Sequence, residues 1–132
     1  MKTDTEIRDD VYALVKKSQI MDAVNGKLCA RLRPLNSTAE DVVVSVSANT
    51  PGDPQRAFVN VDIYVKDVKV DGRNEEDTAR VRELSRVAYD ALQSNTMPDF
   101  YATLEEQRVY AVDATGEHLI QNKLRYRHVE EA

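Results

Sequence analysis

The chain has 132 residues, with 18 Lys+Arg against 23 Asp+Glu, a formal net charge of −5 and a pI near 5.0. Its 42% hydrophobic content argues against a collagen-like, coiled-coil or disordered chain, and one Cys excludes a disulfide framework or a Cys-built zinc or iron–sulfur site. No apolar run approaches the ~18 residues of a membrane span, and the charge-rich first twenty residues do not read as a signal peptide, so the expectation is an acidic, soluble, cytoplasmic single domain over residues 1–132 whose contact with nucleic acid, if any, is a local basic patch.

The first organised stretch is Thr3 to Ser18. Thr3 and Glu6 match the S/T-x-x-E capping box, and Ile7, Val11, Leu14 and Val15 form one apolar stripe of an amphipathic helix. Asn25-Gly26, between Val24 and Leu28, reads as a type I′ hairpin turn. Leu28, Ala30 and Leu32 then alternate with Lys27, Cys29, Arg31 and Arg33 in a half-buried strand that Pro34 ends. After a polar connection, Val42, Val44, Val46 and Ala48 share one face of a second strand. The segment 49–56 has two Pro and one Gly and reads as a loop. Ala57, Val59, Val61, Ile63 and Val65 then alternate with Phe58, Asn60, Asp62, Tyr64 and Lys66, so 42–48 and 57–66 should pair as an antiparallel hairpin.

Asp71-Gly72 begins a turn, and Asn74 is the expected cap of a second helix with Glu75, Glu76 and Asp77 in its first turn. Val81, Leu84, Val87, Ala88, Ala91 and Leu92 form its buried stripe, with Arg80, Arg82, Glu83 and Arg86 solvated. A final hairpin follows: strand 101–112 with a polar break at Glu105–Arg108, a turn around Gly116, and a closing strand. Ile120, Leu124 and Tyr126 lie on one face of that strand, with Leu119, Gln121, Lys123, Arg125 and Arg127 on the other. The order α-β-β-β-β-α-β-β gives an α+β fold, an antiparallel sheet with two helices packed on one face.

Reactive chemistry is sparse, and no catalytic, cofactor or metal site is expected. His118 and His128 have no nucleophile or orienting acid in a local motif. Cys29 reads as a small semi-buried residue, no Gly-rich phosphate cradle or EF-hand pattern exists, and Asp62 reads as solvated on the polar sheet face. Two features rise above this background. One is the basic stripe Lys123, Arg125 and Arg127, which reads as a solvated sheet face, as half of a salt-bridge ladder with acids from Glu105 to Glu106, or as a docking surface for an acidic partner or DNA. The other is the Pro-rich loop 49–56, longer than a hairpin needs and so suited to an interaction. A binding adaptor of a mobile element is one reading of such a chain, and a small enzyme using carboxylates is another.

The motif order resembles the tail-terminator and tail-completion proteins of long-tailed bacteriophages and prophages. The resemblance rests on VNGKLCARLRPLNSTAEDVVV (24–44), AFVNVDIYVKD (57–67), ARVRELSRVAYDAL (79–92) and the final hairpin, and runs from Ile7 to Val129. It implies a non-enzymatic virion component, a homo-oligomeric and often hexameric ring that caps the tail tube and meets the head connector and head-completion proteins. It carries no catalytic residues and implies no cofactor, no membrane and no sequence-specific nucleic acid; a neck component shares the same implications. In such a ring the strands 57–66 and 118–129 would offer edges to a neighbour. The expected contact residues are Asp53, Gln55 and Arg56 in the loop, Phe58 and Tyr64 as apolar anchors, and Lys123, Arg125 and Arg127.

Overall fold

In the computed structural model, which describes residues 1–130, helix α1 (Asp4–Lys16) opens with the capping box the sequence encodes. The Thr3 hydroxyl accepts from the Glu6 N–H at 3.4 Å, and the Glu6 carboxylate accepts from the Thr3 N–H at 2.9 Å, satisfying two orphaned donors reciprocally. There follow α2 (Ile20–Ala23), β1 (Leu28–Cys29), β2 (Val42–Thr50), β3 (Gln55–Lys66), β4 (Val68–Val70) and β5 (Arg73–Glu75). The remainder is α3 (Thr78–Leu92), β6 (Ser94–Thr96), β7 (Tyr101–Val112) and β8 (Glu117–His128). Six strands make one curled sheet in the order β1-β2-β3-β8-β7-β6, antiparallel except for the β1–β2 pair, while β4 and β5 form a separate hairpin.

Strand alternation divides the sheet into two unlike faces. Val59, Val61 and Ile63 of β3 and Ile120, Leu124 and Tyr126 of β8 are fully buried against Ile7, Val11 and Val15 of α1, Ile20 of α2, and Leu84, Ala88 and Leu92 of α3. The fold is thus mixed α/β and mostly antiparallel, but it departs from the antiparallel sheet with two helices on one face expected from the sequence. Three helices line a curled, half-barrel-like sheet.

Several local expectations fail for identifiable reasons. Asn25-Gly26 is no hairpin turn, because residues 20–23 are helical and β1 runs parallel to β2. Gly26 is required by proximity instead: a Cβ there would lie 2.3 Å from the Glu40 carbonyl carbon and 2.5 Å from the Asp41 nitrogen. Asn25 meets the same junction, its N–H donating to Glu40 and its side-chain oxygen accepting from the Glu40 N–H. The strand beginning at Leu28 stops at Cys29, and Leu32 is left 87% exposed because the chain turns to bury Arg33 instead. Helix α3 begins three residues later than expected, capped by Asp77, whose side chain accepts from the Arg80 N–H. Asn74 and Glu75 belong to β5.

The loop at 49–56 contracts to residues 51–54, since β2 extends to Thr50 and β3 begins at Gln55. A bulge between Val46 and Ala48 turns Ala48 to the outer face opposite Phe58, and a second bulge between Leu104 and Glu106 absorbs the polar break in β7. The strands expected at 57–66 and 118–129 offer no edges, because β3 and β8, which ends at His128, are the two central strands, each paired on both sides. The sheet ends in the short strands β1 and β6, which pair with only two residues of β2 and three of β7 and leave the rest of those two strands without a strand partner on that side. Because Gly26 abuts backbone, which cannot swing aside, Gly26→Ala should destabilise the fold by about 2 kcal/mol or more in urea unfolding; an unchanged midpoint would show that the contact relaxes freely.

Candidate interaction surface

The outer face of the sheet, away from the helices, is built from the side chains that alternate with the core. At its upper end Arg33, from the connection between β1 and β2, reaches Asp41, Tyr64 and Glu117. The Arg33 guanidinium donates to both carboxylate oxygens of Glu117 at 2.8 Å, to Asp41 at 3.0 Å, and to the Ala39 carbonyl at 3.0 Å. It also lies 4.0 Å from the centre of the Tyr64 ring. Glu117 and Asp41 are 2% and 1% exposed, so removing the guanidinium would strand two buried carboxylates, a loss on the order of 3–5 kcal/mol. Hydrogen bonds donated to Glu117, against the cost of burial, hold Arg33 protonated far above the ordinary guanidinium value. Burial works to raise the Asp41 carboxyl, but donors from Ser37, the Lys27 N–H and Arg33 outweigh it and keep it below its usual range.

The lower end of the same face is open. Arg56 and Arg127 sit directly opposite each other on β3 and β8, Phe58 faces Arg125, and Asn60 faces Lys123. Lys123 lies over the Phe58 ring, 4.3 Å from its centre, and Arg125 pairs with Glu105 at 3.1 Å. Among the described residues neither Arg56 nor Arg127 has a carboxylate partner, although like charges directly opposite on neighbouring strands repel. Ala48, Thr50, Arg56, Phe58, Arg125 and Arg127 border a cleft of about 400 Å³. Arg125 is therefore in an internal ladder, while Arg127 lies beside Arg56 with no carboxylate partner among the described residues.

The structure sorts the other expected contact residues. Asp53 is exposed on the turn that leads into Arg56. Gln55 does not reach the outer surface at all; it is fully buried on the helix side, where it accepts from the Lys2 N–H at 2.7 Å and donates to the Lys2 carbonyl at 2.7 Å. Tyr64 is not a free anchor, because its ring carries Arg33. Phe58 is half-buried beneath Lys123 and lines the cleft. The histidines are engaged, His118 Nδ1 with Asp67 at 2.5 Å and His128 Nδ1 with the Asp99 carbonyl at 2.6 Å. Cys29 is buried, which pushes its thiol pKa up.

Sequence reasoning missed three charged positions. Arg80, expected to be solvated, donates to both oxygens of Glu40 at 2.6 and 2.7 Å and to the Ala23 carbonyl, tying α3 to the turn after α2. Arg33 could not be paired with Glu117 from the sequence, since 84 residues separate them. Asp62, also expected to be solvated, is half-buried in the middle of the outer face, and its Oδ1 has no hydrogen-bond partner among the described residues. Burial raises its pKa to about 6, with Gln121, directly opposite on β8, giving partial relief. The only local signal is its position between Val61 and Ile63 in an otherwise apolar-rich strand.

No protein-family model matches the chain, and no curated protein matches it by sequence. Solved structures do match it. A chain from the virion of a native gene transfer agent particle superposes with a TM-score of 0.58 at 12% identity, over 93% of this chain and 94% of that one. At that identity the likeness establishes a shared fold.

A raised carboxyl pKa means that the folded state holds the Asp62 proton more tightly than the unfolded chain does. The associated stability is present below the ordinary value of 3.8 and is lost as the pH rises through about 6. Asp62→Asn should therefore stabilise the protein at neutral pH by about 1–2 kcal/mol, after discounting for solvent screening, with the difference vanishing below pH ~4. Urea unfolding of both proteins across this range checks it; a variant less stable than wild type at neutral pH would mean that Asp62 has a charged partner.

Proposed function

We propose that this chain is a structural component of a phage-like virion, a ring-forming tail terminator that caps the tail tube and joins it to the head connector. The observation that carries the proposal is the fold likeness to a gene transfer agent virion chain, which spans nearly the full length of both partners. The motif order from Ile7 to Val129, with its resemblance to tail-terminator proteins, supports the finer assignment. The partners on this reading are other copies of the chain, six in the resembling family, together with the tail tube and the head-completion proteins. Its working location is the bacterial cytoplasm during assembly and the virion afterwards.

The role is mechanical and non-enzymatic. The outer face supports this, because its charged side chains are arranged for contact along an open sheet: Arg56 and Arg127 stand side by side around Phe58. Both histidines are also committed to other bonds. Closing a ring from identical subunits requires a heterologous contact, in which one patch meets a different patch on the neighbour.

Electron microscopy of the purified protein, alone and mixed with tail tubes of the same genetic element, tests the proposal. The expected images show closed rings, with one ring seated on a tube end. A strict monomer by light scattering at every concentration, together with bare tube ends, would overturn it.

A further inference from the structure

We infer that the β4–β5 hairpin of one copy docks on the basic end of the outer sheet face of the next copy. The inference rests on the ring reading above and names the two surfaces that would meet.

The first argument is electrostatic. The basic end gathers Arg56, Lys123, Arg125 and Arg127 around Phe58, with Glu105 as the one paired acid, and places Arg56 directly against Arg127. Such an arrangement costs stability in the isolated subunit and gains it back when carboxylates arrive. The segment 67–77 holds five carboxylates, Asp67, Asp71, Glu75, Glu76 and Asp77, against two cations, Lys69 and Arg73. Asp67 is held by His118, Asp77 by the start of α3, and Glu75 lies 3.7 Å from Arg73 in an exposed pair, which leaves Asp71 at the tip and Glu76 at the root of the hairpin without a salt-bridge partner among the described residues.

The second argument is the state of the hairpin itself. Two strands on their own are marginally stable in water, and β4 and β5 pair with no third strand. One side of the hairpin is occupied: the Asp67 N–H donates to the Gly116 carbonyl at 3.0 Å, and the Asn74 amide lies so close to Gly116 that a Cβ there would sit 2.9 Å from it. On the other side Val68 and Val70 are 40% and 39% exposed, alternating with Lys69 and opposite Glu75 and Arg73. That side is an apolar pair framed by charge, which suits the Phe58 cleft with its arginine rim.

The third argument is distance. Arg56 and Lys66 are ten residues apart on an unbroken strand, about 33 Å at the rise of extended chain, and the hairpin begins beyond Lys66. The two surfaces therefore cannot meet within one subunit. A contact between them is head-to-tail, the type that propagates from copy to copy and closes when the rotation allows.

Disulfide trapping tests the contact independently of ring closure. In a Cys29→Ser background, Thr50→Cys places a thiol on the rim of the cleft and Val70→Cys places one on the hairpin, too far apart to join within a chain. Oxidation should give a ladder of covalent oligomers whose linked peptides contain positions 50 and 70. Arg56→Glu with Arg127→Glu should reduce that product at least about tenfold, and adding Glu75→Arg with Glu76→Arg should restore it. Thermal melting of each variant confirms that the fold is kept.

Closed rings without this cross-link, or a cross-link indifferent to charge reversal, would overturn the inference while leaving the ring reading intact; a basic face reserved for a foreign acidic protein would give the first of these results. Charge-sensitive cross-linked chains that never close would support the contact and count against the ring. A monomer that does not cross-link at any concentration would overturn both.

Discussion

The fold depends on one uninterrupted ladder. Twelve residues of β3 pair one for one with twelve of β8, from Gln55 opposite His128 to Lys66 opposite Glu117, without a bulge. A slip of one residue would turn every side chain to the other face, so this ladder fixes at once which residues enter the core and which form the outer surface. The irregularities fall on the flanking strands, where the bulges in β2 and β7 let the sheet curl while the centre keeps its register. The ladder also holds the basic end and the acidic hairpin at opposite ends of the same two strands.

A second constraint acts where the chain enters that sheet. Glu40 and Asp41 are consecutive, and strand alternation sends their carboxylates in opposite directions. Glu40 takes Arg80 on the helix side, and Asp41 takes Arg33 on the outer side. Gly26 lies against the peptide between them. Helix α3, the β1 approach and the connection between β1 and β2 are thus tied at one dipeptide. The buried carboxylates gain their stability from charged partners with good geometry, so the arrangement specifies position more than it adds net energy.

Elements governed by local chemistry were legible in the sequence. The Thr3–Glu6 capping box, the buried stripe of α1, the stripe Val81, Leu84, Ala88 and Leu92 of α3, and the two-residue period of β3 all follow from spacing alone. What escaped is set by partners far along the chain. Asn25-Gly26 has the composition of a turn, yet its glycine answers to Glu40 and Asp41. Asn74 and Asp77 are both competent caps, and pairing of β4 with β5 decides between them. Ala48 changes face because of a bulge that no composition rule announces. On the candidate surface, the stripe Lys123, Arg125 and Arg127 was visible from alternation, whereas its completion by Arg56 required knowing that β3 and β8 are neighbours. Gln55 shows the converse error, a polar residue beside a turn that the fold buries to hold Lys2.

The formal charge of −5 describes the chain only as a sum. Four cations gather at one end of the outer face, and the segment 67–77 at the other end carries five carboxylates against two cations. Two bodies with evenly spread negative charge would associate more tightly as salt screens their repulsion, whereas docking of the hairpin on the basic end requires the reverse. Sedimentation of the full chain between about 0.05 M and 0.5 M salt separates these cases, because the screening length falls from roughly 14 Å to about 4 Å across that range. Self-association that weakens at least about tenfold with added salt is the expected result. Association that is unchanged or strengthened by salt would contradict a subunit contact built on opposite charges.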